Sequence, residues 1–160
     1  LRGTSESGYA FKLLSESYDD FVAEVTIEPG DAREFGLLFR SDPTVDVHTA
    51  ALCQPGYSEV SLIQYTQYFD PASNHRWRGC QRVHSEHFDY PLGRPIRLRV
   101  VASGPYIEIS LDEQLLLAAT ATSRRAGHVG VFVADGQARF SGCTILPIQS
   151  PFTESWRAIP

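Results

Sequence analysis

The 160-residue chain has no methionine and only three cysteines, Cys53, Cys80 and Cys143. An odd cysteine count in a chain of this size is not a disulfide framework, so the fold must rest on its hydrophobic core. No apolar run approaches the ~18 residues that a membrane-spanning helix needs, and no membrane partner is expected. Positive charge is scarce and scattered: 14 Lys and Arg face 19 Asp and Glu, for a net charge of −5. Phosphate binding needs concentrated positive charge, which argues against nucleic acid as a partner. No segment shows a helical apolar period with caps over about ten residues. Also missing are the nucleophile elbow Gly-x-Ser-x-Gly, the metal spacings Cys-x-x-Cys and His-Glu-x-x-His, and the glucanase pattern Glu-x-Asp-x-x-Glu. The chain starts at Leu1 with no basic-then-apolar leader and reads as a domain cut from a longer polypeptide, so its compartment is left open.

What the chain does have is strand after strand. Aromatics at 11% and hydrophobics at 42% exclude disorder, and the length suits one domain with a continuous core. In the C-terminal third, Ile96 to Ala102, Tyr106 to Leu111, Leu115 to Ala119, His128 to Ala134 and Ala138 to Ile145 alternate as short strands. Between them lie the turn signals Ser103-Gly104-Pro105, Asp112-Glu113, Arg124 to Gly127 and Asp135-Gly136. Asp-Gly between apolar strands is a strong hairpin signal, because a type I′ turn needs φ > 0 at both central residues. Upstream, strands are expected at Tyr9 to Leu14, Phe21 to Ile27, Phe35 to Arg40, Ala50 to Cys53 and Glu59 to Tyr65. Thr66 to Pro95 is polar and rich in Pro, Gly, His and Arg; it reads as surface loop holding one short strand near Gln81 to His84. About ten short antiparallel strands without helices predict an all-β, two-sheet β-sandwich over residues 1–146, since each sheet must bury its apolar face. Residues 147–160, with three prolines, read as an extended strap packed on the sandwich, with Trp156 docked on its surface.

Several side-chain groups invite a functional reading. Glu24, Arg40 and Asp135 form one: the first two lie on the strand faces opposite the aromatic core set, and the third lies in a turn. A carboxylate and a guanidinium fork can hold adjacent sugar hydroxyls as acceptor and donor. The bland alternative is an ordinary cross-strand ion pair beside a turn Asp. A second group is aromatic: Trp77, Tyr57, Tyr65 and Tyr68. Rings near polar groups stack on the C–H faces of sugars, although loop anchors look the same in sequence. Gln64 and His48 could add hydrogen bonds. Cys80, His84 and His87, with Glu86 or Cys53, outline a zinc set whose spacing suits a helix that this region does not promise. Asp19, Asp20, Asp42 and Asp46 offer oxygens for calcium but no spaced ligand loop. No metal and no other cofactor is therefore expected. A glycosidase pair made of Glu24 with Glu59 or Glu108 is the weakest reading.

The succession Tyr18 to Ile27, Phe35 to Arg40, Gly56 to Leu62, Ile96 to Ala102, Tyr106 to Asp112, Gly127 to Phe132 and Asp135 to Phe140 resembles the concanavalin A-like sandwich appended to glycoside hydrolase family 32. That family includes levanases, inulinases and invertases, and its sandwiches are similar to fructan-binding carbohydrate-binding modules. The resemblance covers about Tyr9 to Ile145, and laminin G-like domains share the superfold. It implies a concanavalin A-like jelly roll and a non-catalytic partner module of a β-fructosidase. It also implies a fructan or fructose-containing oligosaccharide as ligand, the catalytic domain of the same polypeptide as partner, and charged site residues such as Glu24, Arg40 and Asp135; Trp77, Tyr57 and Gln64 are expected beside them from the reading of the residues above. The two alternatives are a module that only braces the catalytic propeller, which would show a broad apolar patch, and a laminin G-like adhesion or protein-interaction domain.

Overall fold

The computed structural model describes residues 1–121 and 126–149; for residues 5–7, 68, 69 and 77 it describes the main chain alone. Among these residues ten strands run in sequence: β1 (Arg2–Tyr18), β2 (Phe21–Glu28), β3 (Glu34–Ser41), β4 (His48–Gln54), β5 (Glu59–Asp70), β6 (His75–His87), β7 (Ile96–Ser103), β8 (Tyr106–Leu111), β9 (Gln114–Thr120) and β10 (Gly127–Pro147). A single 3₁₀ turn, Pro55–Tyr57, joins β4 to β5.

All pairings are antiparallel, and the order is β6-β5-β4-β3-β10-β2-β7-β8-β9, with β1 along β10. The expected sandwich follows from which faces are apolar. Phe21, Ala23, Val25 and Ile27 of β2 and Ile96, Leu98, Val100 and Ala102 of β7 alternate inward, as do Phe35, Leu37 and Phe39 of β3; all are essentially buried in one cluster. The two layers meet edge to face at Phe21 and Phe39, whose ring centroids lie 5.8 Å apart.

Strand β10 turns one ladder into two layers. Its first part, His128–Ala134, pairs with β3; its second, Arg139–Pro147, pairs with β2. The Asp135-Gly136 hairpin expected from sequence is therefore a bend within one strand. The φ > 0 requirement was read correctly, since Asp135 has φ 46° and Gly136 φ 133°. The chain does not reverse there because the 31–33 loop holds it: the Gln137 amide donates to Asp31 Oδ1 (2.8 Å), and the Arg33 amide donates to Asp135 O (3.0 Å). A Cβ on Gly136 would fall 2.7 Å from Ala32 Cα, so only glycine lets the loop approach this closely.

The polar stretch expected to loop over the surface is instead a long edge hairpin, β5–β6, with register continuous from Glu59↔His87 to Asp70↔His75 apart from one shift. Edge strands with polar residues on both faces carry no apolar alternation, and backbone pairing alone defines them. The β8–β9 turn keeps its predicted place, with Asp112 (φ 49°) and Glu113 (φ 68°) both left-handed. Strand β10 ends at Pro147, and Ile148 donates to Asp20 O (2.9 Å). The remainder of the strap, with Trp156, lies outside the described residues, as do Arg124 and Arg125 of the expected Arg124 to Gly127 turn.

Candidate functional site

Strands β3 and β4 are buried on both faces. Their inner face is the sandwich core. Their outer face carries Leu38, Ala50 and Leu52, clustered with Phe132 and covered partly by Leu13 and Ile63. The cover comes from β1, whose side chains lean across small residues of β10. Gly130 is the clearest case: a Cβ there would lie 2.4 Å from Lys12 O and 3.0 Å from Leu13 Cδ2. Tyr9, in register with Ala134, which is itself in register with Glu34, likewise reaches over β10. Its hydroxyl donates a short hydrogen bond to Glu34 Oε2.

At that end of the outer face a cleft of about 280 Å³ is lined by Arg33, Glu34, Gln54, Tyr57, Glu59 and Arg82. Its polar groups alternate as donor and acceptor. Gln54 Nε2 donates to Glu34 Oε1 (2.9 Å), Arg82 donates to Gln54 Oε1 (3.4 Å), and Arg82 also pairs with Glu59 Oε1 (2.8 Å). Ser61 Oγ donates to the same Glu59 oxygen (2.8 Å). Arg33 approaches Glu34 (3.8 Å) and pairs with Asp135 (2.8 Å), whose other oxygen accepts from the Gly8 amide (3.1 Å). Glu34 is only 8% exposed, so its carboxylate is fixed by partners rather than by water. Burial, and then the hydrogen bond to Glu34, push the Tyr9 phenol well above its ordinary range, so the hydroxyl stays a donor. Tyr57, 71% exposed, stands at the rim on the 3₁₀ turn, where Ser58 in the left-handed conformation ends the turn. The result is a preorganised set of two carboxylates, two guanidinium groups and an amide beside an exposed ring. Such a set can hold neighbouring hydroxyls of a neutral polar ligand.

The residues expected from sequence fall in different places. Tyr57 lines the cleft, and Asp135 is tied to it through Arg33. Glu24 lies on the outer face of the other layer, paired with Arg97 (3.3 Å), so the whole core separates it from Glu59. Glu108 accepts from Tyr106 (2.7 Å) on that same layer. Arg40 is 1% exposed and left-handed (φ 51°) where β3 slips register against β10. This twist turns its side chain away from the outer face to donate to Gly104 O, while the Gly104 amide donates to Asp20 (2.9 Å). Glu24, Arg40 and Asp135 thus each meet a different partner and form no common cluster. Gln64 shares a strand face with Val60 and Leu62, opposite that of Tyr65. Trp77 lies opposite Tyr68 in the β5–β6 ladder, and its side chain is outside the described atoms, as is that of Tyr68. His48 is buried, its Nδ1 3.1 Å from Val45 O, and burial lowers its pKa. In the zinc set, Cys53 is inside the core, and His84 and His87 bond to Glu86 (2.7 Å) and Asp89 (2.9 Å). Among the described residues no cluster of His, Cys, Asp and Glu is arranged to hold a metal ion. Glu34, Gln54 and Arg82 went unread because their convergence depends on strand register and on Tyr9 leaning across β10.

No family model and no curated protein matches this sequence. Solved structures do match in fold. The carbohydrate-binding module CBM66 from Bacillus subtilis superposes with a TM-score of 0.75 at 23% identity, over 90% of this chain and 84% of that one. Chicken galectin 2 gives 0.61 at 11% identity over 87% of this chain and all of its own. A fructosyltransferase from A. japonicus gives 0.62 at 14% identity; 94% of this chain aligns, spanning only 26% of the enzyme. These likenesses define the class: an antiparallel β-sandwich of the jelly-roll, galectin-like kind.

Proposed function

We propose that this chain is a non-catalytic carbohydrate-binding module that holds fructosyl sugars in the cleft between Arg33 and Arg82, within a glycoside hydrolase of the family 32 type. The observation that carries the reading is the alternating donor–acceptor network of Glu34, Gln54, Arg82 and Glu59, which lines the cleft from buried Glu34 and Gln54 to the part-exposed Arg82–Glu59 pair beside Tyr57. A sugar presents vicinal hydroxyls that act as donor and acceptor at once, which suits paired carboxylate and guanidinium groups. Support also comes from the fold shared with a carbohydrate-binding module and with part of a fructosyltransferase. Asp135 serves by positioning Arg33, and Tyr57 by offering its ring; Glu24, Arg40 and Gln64 play no part. The test is calorimetric titration with levan, inulin oligosaccharides and fructose. Wild type should release heat, and Glu34→Gln and Arg82→Ala should each weaken binding at least tenfold, about 1.4 kcal/mol. An equal affinity for both variants and wild type would sink this site.

A second reading has its own observation. Pro29, Pro55, Tyr90, Pro91, Leu92 and Pro95 line a mainly apolar groove of about 730 Å³, and Leu92 is 99% exposed. Such a surface suits a module that braces a neighbouring catalytic domain. Absence of heat with every fructan would favour it.

A further inference from the structure

Four rings cross the outer face of the first layer, starting at the cleft. Tyr9 stacks on Phe11 with centroids 6.0 Å apart and planes inclined by 18°. Phe11 meets His48 edge-on at 6.2 Å, and His48 stacks on Tyr65 at 5.1 Å and 24°. The strip therefore runs from β1 over β10 and β3 to β4 and β5. Tyr9 and Phe11 are 51% and 43% exposed although both are large and apolar, and Phe132, buried beneath, supports Tyr9 at 6.1 Å. Burial favours the neutral form of the His48 imidazole. Tyr9 belongs to both features: its ring begins the strip and its hydroxyl is bonded to Glu34 in the cleft.

We propose that this strip is a second subsite, on which the sugar residues following the one in the cleft stack their C–H faces. The proposal rests on the carbohydrate reading above and extends it: the ligand is an oligosaccharide of at least two residues, laid from Glu34 toward Tyr65. Tyr9 and Phe11, half-exposed and uncharged, suit the apolar faces of neutral sugars and offer nothing to an anionic ligand, while buried His48 backs the strip between Phe11 and Tyr65. Continuity with the cleft names the occupant, because a chain seated at Glu34 leaves past Tyr9.

Calorimetry with fructose and with a fructosyl trisaccharide tests it on wild type, Phe11→Ala, Tyr65→Ala and Glu34→Gln, each checked for folding by thermal melting. Wild type should bind the trisaccharide about tenfold more tightly than fructose. Phe11→Ala should remove that preference and leave fructose affinity unchanged, and Glu34→Gln should weaken both ligands. Tyr65→Ala, at the far end of the strip, gives the same reading should Phe11→Ala fail to fold. Equal wild-type affinity for the two sugars, or an unchanged preference in the folded ring variants, would overturn the strip while leaving the cleft intact. No binding of either sugar by wild type would overturn the cleft reading and the strip with it.

Discussion

Cys53 shows how far burial alone fixes a residue's chemistry. It lies in the core between the layers, and desolvation pushes its thiol up to about 12. Cys80 and Cys143 are exposed. A thiol-specific chromogenic reagent at mildly alkaline pH should therefore titrate two cysteines in the native protein and the third only after unfolding. His48 makes an opposite contribution. Its pKa is lowered from 6.5 by burial, so the unfolded chain takes up a proton first as pH falls. Stability should then decline below about pH 6.5, and denaturant midpoints measured from pH 7.5 to 5.5 should show a shallower decline for His48→Phe than for wild type. Neither behaviour is written in the sequence, because a lone Cys or His gives no sign of the face on which it will lie.

At the scale of the element, alternation made β2, β3, β7 and β8 legible, since a strand with one face in a core must repeat every two residues. Of the β5–β6 hairpin, Glu59 to Tyr65 and the short strand near Gln81 to His84 were legible, since Val60 and Leu62 reach the core; the stretch between them was not, because no apolar alternation runs through it. Asp135-Gly136 lay between these cases: its backbone requirement was readable, but its outcome was not. Whether a left-handed pair reverses a strand or bends it depends on what packs beside it, here the 31–33 loop. Gly136→Val should be destabilised by about 2 kcal/mol or more, from strained φ and collision with Ala32, as read by urea denaturation. Gly30→Ala offers a parallel case, since its Cβ would meet Gln137 O at 2.3 Å on the same junction.

At the scale of the molecule, two layers share one hydrogen-bonded ladder through β10, and the core between them separates two unlike outer faces. The second layer carries ordinary cross-strand ion pairs such as Glu24–Arg97, which contribute little. The first layer carries the cleft and the aromatic strip. Core truncation should be costly: Phe39→Ala is expected to lose about 3 to 5 kcal/mol of unfolding free energy without altering the cleft. The sandwich could be anticipated from strand rhythm and resemblance, and of the expected site residues Tyr57 lines the cleft and Asp135 adjoins it. The choice of face could not be anticipated, because it follows from Tyr9 and Leu13 reaching over Ala134 and Gly130. The direct test of that choice is amide chemical-shift mapping of the isotope-labelled protein during titration with a fructan oligosaccharide. Shifts should centre on Tyr9, Glu34, Gln54, Tyr57, Glu59 and Arg82; shifts confined to the Glu24–Arg97 face or to the groove around Leu92 would contradict it.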